Sequence, residues 1–146
     1  MRNKFLLTFC ICFLLGLGAF AGNSYIKHVR IPGRIKSVGA GAFEYCYNVK
    51  AVVLSEGVEE IGLGAFAKCV NLEACSIPAS VVQLDSLFYD CNKLVEVKVH
   101  KKNPNYVVNG NCILDKRKNQ LVATFGTDVV IPEGVKTMTP TALVSS

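Results

Sequence analysis

Seven cysteines and two histidines are the side chains of this 146-residue chain best suited to covalent or metal chemistry. Cys10 and Cys12 lie in an uncharged run near the start, Cys46, Cys69, Cys75, Cys91 and Cys112 follow it, and the histidines are His28 and His100. A thiol beside an imidazole makes a nucleophile and its base. Paired thiols in an oxidising compartment make disulfides, and thiols in two close pairs hold zinc. Spacing tests each of these. The five later cysteines are separated by 23, 6, 16 and 21 residues with no CxxC, so zinc-finger spacing is absent. An odd number argues against a fully paired disulfide framework. His28 sits in a lead-in segment and His100 beside Lys101 and Lys102, neither in a nucleophile or metal motif. No GxxxxGK[ST] occurs, and the pairs Gly39–Gly41 and Gly62–Gly64 lack the third glycine of GxGxxG. No catalytic, metal or cofactor-binding residue is expected; a secreted cysteine-dependent hydrolase using one of the five thiols is the alternative reading.

What places the cysteines is a repeat. The stretch "GAGAFEYC" (Gly39 to Cys46) returns as "GLGAFAKC" (Gly62 to Cys69), 23 residues on at every shared position. The match extends to whole units: residues 31–53, 54–76 and 77–98, the third one residue shorter. Ile31, Leu54 and Ile77 open the units; Ile35, Val58 and Val81 follow, then Val38, Ile61 and Leu84. Phe43, Phe66 and Phe88 are equivalent, as are Cys46, Cys69 and Cys91. In the third unit Asp85 stands at the Gly place and Leu87 at the Ala place. A fourth unit begins at Ile131, with Val135, Met138, Ala142 and Leu143 in register.

A period of this length marks a stacked array, in which each coil buries its apolar side chains only against its neighbours. "VKAVVL", "LEACSI" and "LVEVKV" (from Val49, Leu72 and Leu94) follow the L-x-x-L-x-L strand pattern. The glycine allows a bend with positive φ, and Ala-Phe-x-x-Cys reads as one short helical turn facing inward. The expected fold is therefore an α+β or mainly β leucine-rich-repeat solenoid of about 23-residue units. The recurring Cys is then a small buried hydrophobe. Parallel coils aim equivalent Cβ vectors the same way, whereas a disulfide needs them to converge. In "NPNYVVNGNCILDKRKNQLVATF", Asn109-Gly110 signals a type I′ turn and "DKRKN" a polar loop, so a β-hairpin insertion is expected within a spacer at 99–130.

The first residues read as a leader. Met1 to Lys4 is positive, an uncharged run follows, and Ala19-Phe20-Ala21 supplies small residues for a cleavage site. The run from Phe5 to Tyr25 is also long enough to span a bilayer, but Gly16, Gly18, Gly22 and Asn23-Ser24 dilute its end. The expected organisation is a signal peptide at 1–21 and one repeat domain at 22–146, with a partial repeat at 131–146, and no membrane span once the leader is removed. Cleavage would lower the formal charge from +5 to +3 by removing Arg2 and Lys4. The remaining basic residues are scattered, and Lys116-Arg117-Lys118 looks like a solvated turn, so no nucleic acid partner is expected.

The ordered set I-P-x-x-[VI]-x-x-[VI]-G-x-G-A-F-x-x-C-x-x-[VL] resembles the BspA-type leucine-rich repeats, over roughly residues 31–143. Residues 103–125 look like a spacer that recurs in that family between repeat blocks. The resemblance implies a surface or secreted protein that binds host proteins or other bacteria, hence an exported, non-enzymatic protein-binding or adhesion module. A structural fragment of a longer array is a further alternative. In the L-x-x-L-x-L strands the x positions face outward, and Lys50, Val53, Glu73, Ser76, Glu96 and Lys98 make the candidate partner-binding face. Their mixed charge suits a protein partner, and the absence of aromatic anchors there points to weak affinity or to binding elsewhere. The apolar residues of the unit from Ile131 raise the expectation of end-to-end self-association.

Overall fold

The structure, a computed structural model, describes residues 14–16 and 18–143. The repeat units wind into successive coils, each contributing one strand to each of two parallel sheets. The first sheet holds β2 (His28–Ile31), β4 (Ala51–Leu54), β6 (Ala74–Ile77) and β8 (Glu96–Val99) in that order. The second holds the shorter β1 (Leu14–Leu15), β3 (Ser37–Val38), β5 (Glu60–Ile61) and β7 (Gln83–Leu84). Register follows the repeat: Val29 pairs with Val52, Val52 with Cys75, and Cys75 with Val97. Alternation along β4 and β6 buries every second residue, and the buried ones join columns running through one core. Each buried Ile, Leu or Phe side chain contributes roughly 1.5–3 kcal/mol by leaving water.

The expected helical turn is absent; among the described residues the secondary structure is strand and turn, so the α part of the fold class is corrected to β. The hydrogen bonds give the reason. From Gly41 to Cys46, alternate amides leave the coil: Gly41, Phe43 and Tyr45 donate to the carbonyls of Leu63, Ala65 and Ala67. Those between, Ala42, Glu44 and Cys46, donate locally to Gly39, Gly41 and Phe43. A helix needs every interior amide for its own ladder, and half of these are committed to the neighbouring coil. Gly41 and Gly64 hold φ of 61° and 63° at the bend, as expected. In the shorter third unit Ser86 takes a positive φ near that place, and Leu87 is still fully buried.

The expected hairpin insertion is also corrected. Strands β9 (Tyr106–Asn109), β10 (Cys112–Asp115) and β11 (Gln120–Thr124) pair antiparallel, but they do not project from the solenoid. Tyr106, Ile113, Val122, Ala123 and Phe125 complete the same core, and the meander closes the third coil. Tyr106 Oη accepts from Leu84 N at 3.0 Å, on the edge where another coil would otherwise pair. Asn103 Nδ2 donates to Pro78 O and Val81 O, and Asn105 Nδ2 donates to Val81 O. Buried backbone groups left without partners are costly, and these three buried side chains satisfy them. The β9–β10 loop is Gly110-Asn111, with Asn109 paired to Cys112 and Gly110 at φ 56°, the pattern of a type II′ rather than a type I′ turn.

β12 (Thr137–Met138) pairs parallel with β11, and Thr124 N donates to Ala142 O. The fourth unit thus stacks on the meander as earlier units stack on one another. Of its predicted inward residues Ala142 is buried, whereas Ile131, Met138 and Leu143 remain well exposed.

Candidate partner-binding surfaces

The outer faces of β2, β4, β6 and β8 form a grid fixed by strand register. One row runs Arg30, Val53, Ser76, Lys98, and the next His28, Ala51, Ala74, Glu96. A third, just before the strands, is tied by amides of Lys50, Glu73 and Val95 donating to the carbonyls of Lys27, Lys50 and Glu73. The structure therefore places all six candidate residues on one face. Lys50, Glu73, Glu96 and Lys98 are exposed, Val53 and Ser76 half-buried in its middle. Lys98 Nζ lies 2.6 Å from Glu96 Oε1 while both side chains stay exposed. The floor between them is small: Ala51, Ala74 and Ser76.

Sequence reasoning missed the basic edge of this face. The spacing of the three units puts His28 in a lead-in segment, yet β2 is a full member of the sheet, and Lys27, His28 and Arg30 are exposed along it. The signal was present: Ile26, Val29 and Ile31 precede Val49, Val52 and Leu54 by one repeat.

A second surface lies on the turn side of the coils. Lys68 Nζ donates to Tyr45 Oη at 2.6 Å, sits 4.5 Å from the centroid of the Tyr45 ring, and lies 5.8 Å from that of Tyr89. Tyr47 packs edge-on to Tyr45 with centroids 6.0 Å apart, and Tyr45 is 37% and Tyr47 46% exposed. The Tyr45 hydroxyl is the main influence raising the Lys68 ammonium above its ordinary range. Tyr45, Lys68 and Asp90 hold φ of 62°, 58° and 55° at the equivalent turn position. Bulky residues rarely adopt that conformation, and it costs about 1 kcal/mol or more. Alongside, Asn48 Nδ2 donates to Ser24 O, Asn71 Nδ2 to Tyr47 O, and Lys93 Nζ to Asn71 Oδ1.

The five later cysteines are free and buried. Cys46 Sγ donates to Phe20 O, Cys69 Sγ to Phe43 O and Cys91 Sγ to Phe66 O, at 3.2, 3.2 and 3.1 Å. Each thiol thus satisfies the carbonyl of the phenylalanine one coil earlier. Burial raises all five thiols, Cys91 to about 12 and Cys69 and Cys75 further. A nucleophilic cysteine needs an accessible thiolate, and these sites oppose its formation. Among the described residues no group of three His, Cys, Asp or Glu is placed to hold a metal ion, and no helix is long and apolar enough to cross a membrane.

Lys116-Arg117-Lys118 forms an exposed turn, as the sequence suggests, and within it Arg117 folds back on the buried carboxylate of Asp115, with Nε and Nη2 donating at 3.1 and 2.8 Å. It also reaches Tyr106 Oη and Val82 O, bracing the meander against the third coil.

Among solved structures, the pneumococcal vaccine antigen PcpA superposes with a TM-score of 0.68 at 22% identity, over 80% of this chain and 31% of the antigen. The chain thus spans about a third of that protein's length, and the likeness is one of fold. A leucine-rich repeat protein from Eubacterium ventriosum gives a TM-score of 0.46 at 26% identity, over 83% of this chain and 45% of its own. A leucine rich cell surface protein from Faecalibacterium prausnitzii gives 0.42 at 18%, over 75% and 49%. No curated protein matches. The family described as BspA type leucine rich repeat region, in six copies, matches residues 15–117. With parallel strands in the register of that repeat and a match over most of its length, the chain belongs to the BspA type leucine-rich repeat family.

Proposed function

We propose that the chain is an exported, non-enzymatic module that binds a protein partner, a host protein or a protein of another cell surface. The observation that carries this reading is the uncovered face of β2, β4, β6 and β8, where one rigid framework presents side chains from successive coils. Its four cations, Lys27, Arg30, Lys50 and Lys98, stand against two carboxylates, Glu73 and Glu96, which suits a partner surface of mixed charge. The burial of the thiols weighs against the cysteine-hydrolase alternative. A photo-crosslinking side chain at Ser76, compared with one at Lys136, tests the face on cells displaying the protein. Adducts of one defined mass from Ser76 alone are expected. Equal labelling from both positions would sink the assignment.

The tyrosine surface favours a second reading, in which tight binding uses the turn side. Tyr45 and Tyr47 are the aromatic anchors that the strand face lacks, and Lys68 holds Tyr45 in place. A crosslinker at Tyr47 distinguishes this surface from the first. End-to-end self-association is also proposed, through the exposed Val130, Ile131 and Met138 beside β12. It predicts a mass that rises with concentration in light scattering, and a constant monomer mass would remove it.

A further inference from the structure

We propose that residues 14–16 and 18–23 belong to a permanent coil of the mature protein, so that the leader is not removed at the Ala21–Gly22 bond. The hexapeptide Gly16-Leu17-Gly18-Ala19-Phe20-Ala21 recurs unchanged as Gly62-Leu63-Gly64-Ala65-Phe66-Ala67, two repeat lengths later. A leader needs a positive start, an apolar middle and small residues at its exit. Nothing in that chemistry asks for the same six residues in register with a solenoid.

The structure uses the segment as the repeat predicts. Leu14 and Leu15 pair in parallel with Ser37 and Val38. Gly18, Phe20 and Gly22 donate their amides to the carbonyls of Ala40, Ala42 and Glu44 at 3.0, 2.7 and 2.7 Å. Ala19, Ala21 and Asn23 donate locally to Gly16, Gly18 and Phe20. This is the same alternation that links residues 41–46 to the following coil. The Phe20 ring stacks on Phe43, centroids 5.2 Å apart and planes 15° from parallel, and Phe20 O accepts the Cys46 thiol. Asn23 takes the Cys place and turns the chain into β2, its Oδ1 accepting from Tyr25 N and Ile26 N.

Cutting after Ala21 would remove the donors to Ala40 O and Ala42 O, uncover one face of Phe43 and take away the acceptor of Cys46. In the folded chain Ala21 N and Gly22 N are both bonded, so the backbone on either side of that bond is committed to the coil. The alanines that resemble a cleavage site, Ala19 and Ala21, hold the places of Ala65 and Ala67 in the repeat.

The proposal builds on the export reading but fails separately from it. The test is the amino-terminal peptide, by mass spectrometry, of protein recovered outside the cell and within it. A start at or before Leu14 is expected, and a start anywhere from Leu15 to Gly22 would overturn the proposal. Protein found only inside the cell would count against export and not against the coil. The coil is then read from Phe20→Ala in the full chain. We expect a Tm lower by roughly 5–10 °C and alkylation of Cys46 at least about tenfold faster, with Cys91 unchanged. An unaltered Tm and Cys46 rate would refute it.

Discussion

Phe43 and Phe66 stack one coil apart, with ring centroids 5.3 Å from each other and planes 10° from parallel. Both are fully buried, so each ring closes the gap left by its neighbour. Phe66→Ala should cost about 3–5 kcal/mol, because the surrounding coils cannot collapse into the cavity. Phe66→Leu should cost distinctly less. Urea unfolding of the three proteins checks the order.

The thiol ladder should be inert until the protein opens. At neutral pH, Cys46, Cys69 and Cys91 should react with iodoacetamide on the order of a hundredfold more slowly in the folded than the unfolded chain. They should be released together on denaturation. Rapid labelling of any one at pH 7 would reopen the hydrolase reading.

Those thiols also set an alkaline limit. Burial raises them in the folded state, Cys91 to about 12, while an unfolded thiol titrates near 8.5. The folded chain then holds more protons, so this contribution is complete below about pH 8.5 and is lost as pH rises toward the folded value. Thermal unfolding between pH 7 and pH 10.5 should show falling stability, with a shallower slope in Cys69→Ala.

Asp115 should govern the acid limb. Burial pushes its carboxyl up, but the hydrogen bonds and charge of Arg117 outweigh that and hold it below the usual range. Its contribution is present above the unfolded value near 3.9 and is lost as pH falls through the folded value. Arg117→Ala should destabilise by about 1–3 kcal/mol at neutral pH and move acid unfolding to higher pH. Circular dichroism against pH measures both shifts.

Gly33 and Gly57 lie back to back on successive coils. A Cβ on Gly33 would fall 1.8 Å from Glu56 O, a backbone atom that cannot step aside. Gly33→Ala should therefore destabilise by about 1–3 kcal/mol or more, whereas Gly110→Ala, with open space around it, meets only the strain of its φ. Comparing the two Tm values separates crowding from conformational preference.

Read alone, the sequence determined the 23-residue register, the inward columns from Ile31 to Val97, the positive-φ bends at Gly41 and Gly64, and the use of Cys46, Cys69 and Cys91 as packing. Those features recur from one unit to the next, and a side chain whose neighbours are copies of itself reports its surroundings by its own spacing. The six candidate face residues were legible for the same reason. Tertiary structure alone decided the rest. Ala-Phe-x-x-Cys is not helical because Phe43 N and Tyr45 N bond to another coil, which local propensity does not reveal. The stretch 99–130 closes the third coil because Asn103, Asn105 and Tyr106 meet carbonyls and an amide some 22–25 residues away. The segment from Gly16 to Asn23 has leader-like composition and, from Gly16 to Ala21, the repeat's own sequence; the Phe20–Phe43 stack and the amide bonds show that the fold uses the second. In a solenoid many backbone partners lie one repeat away, and composition does not register a bond across that distance.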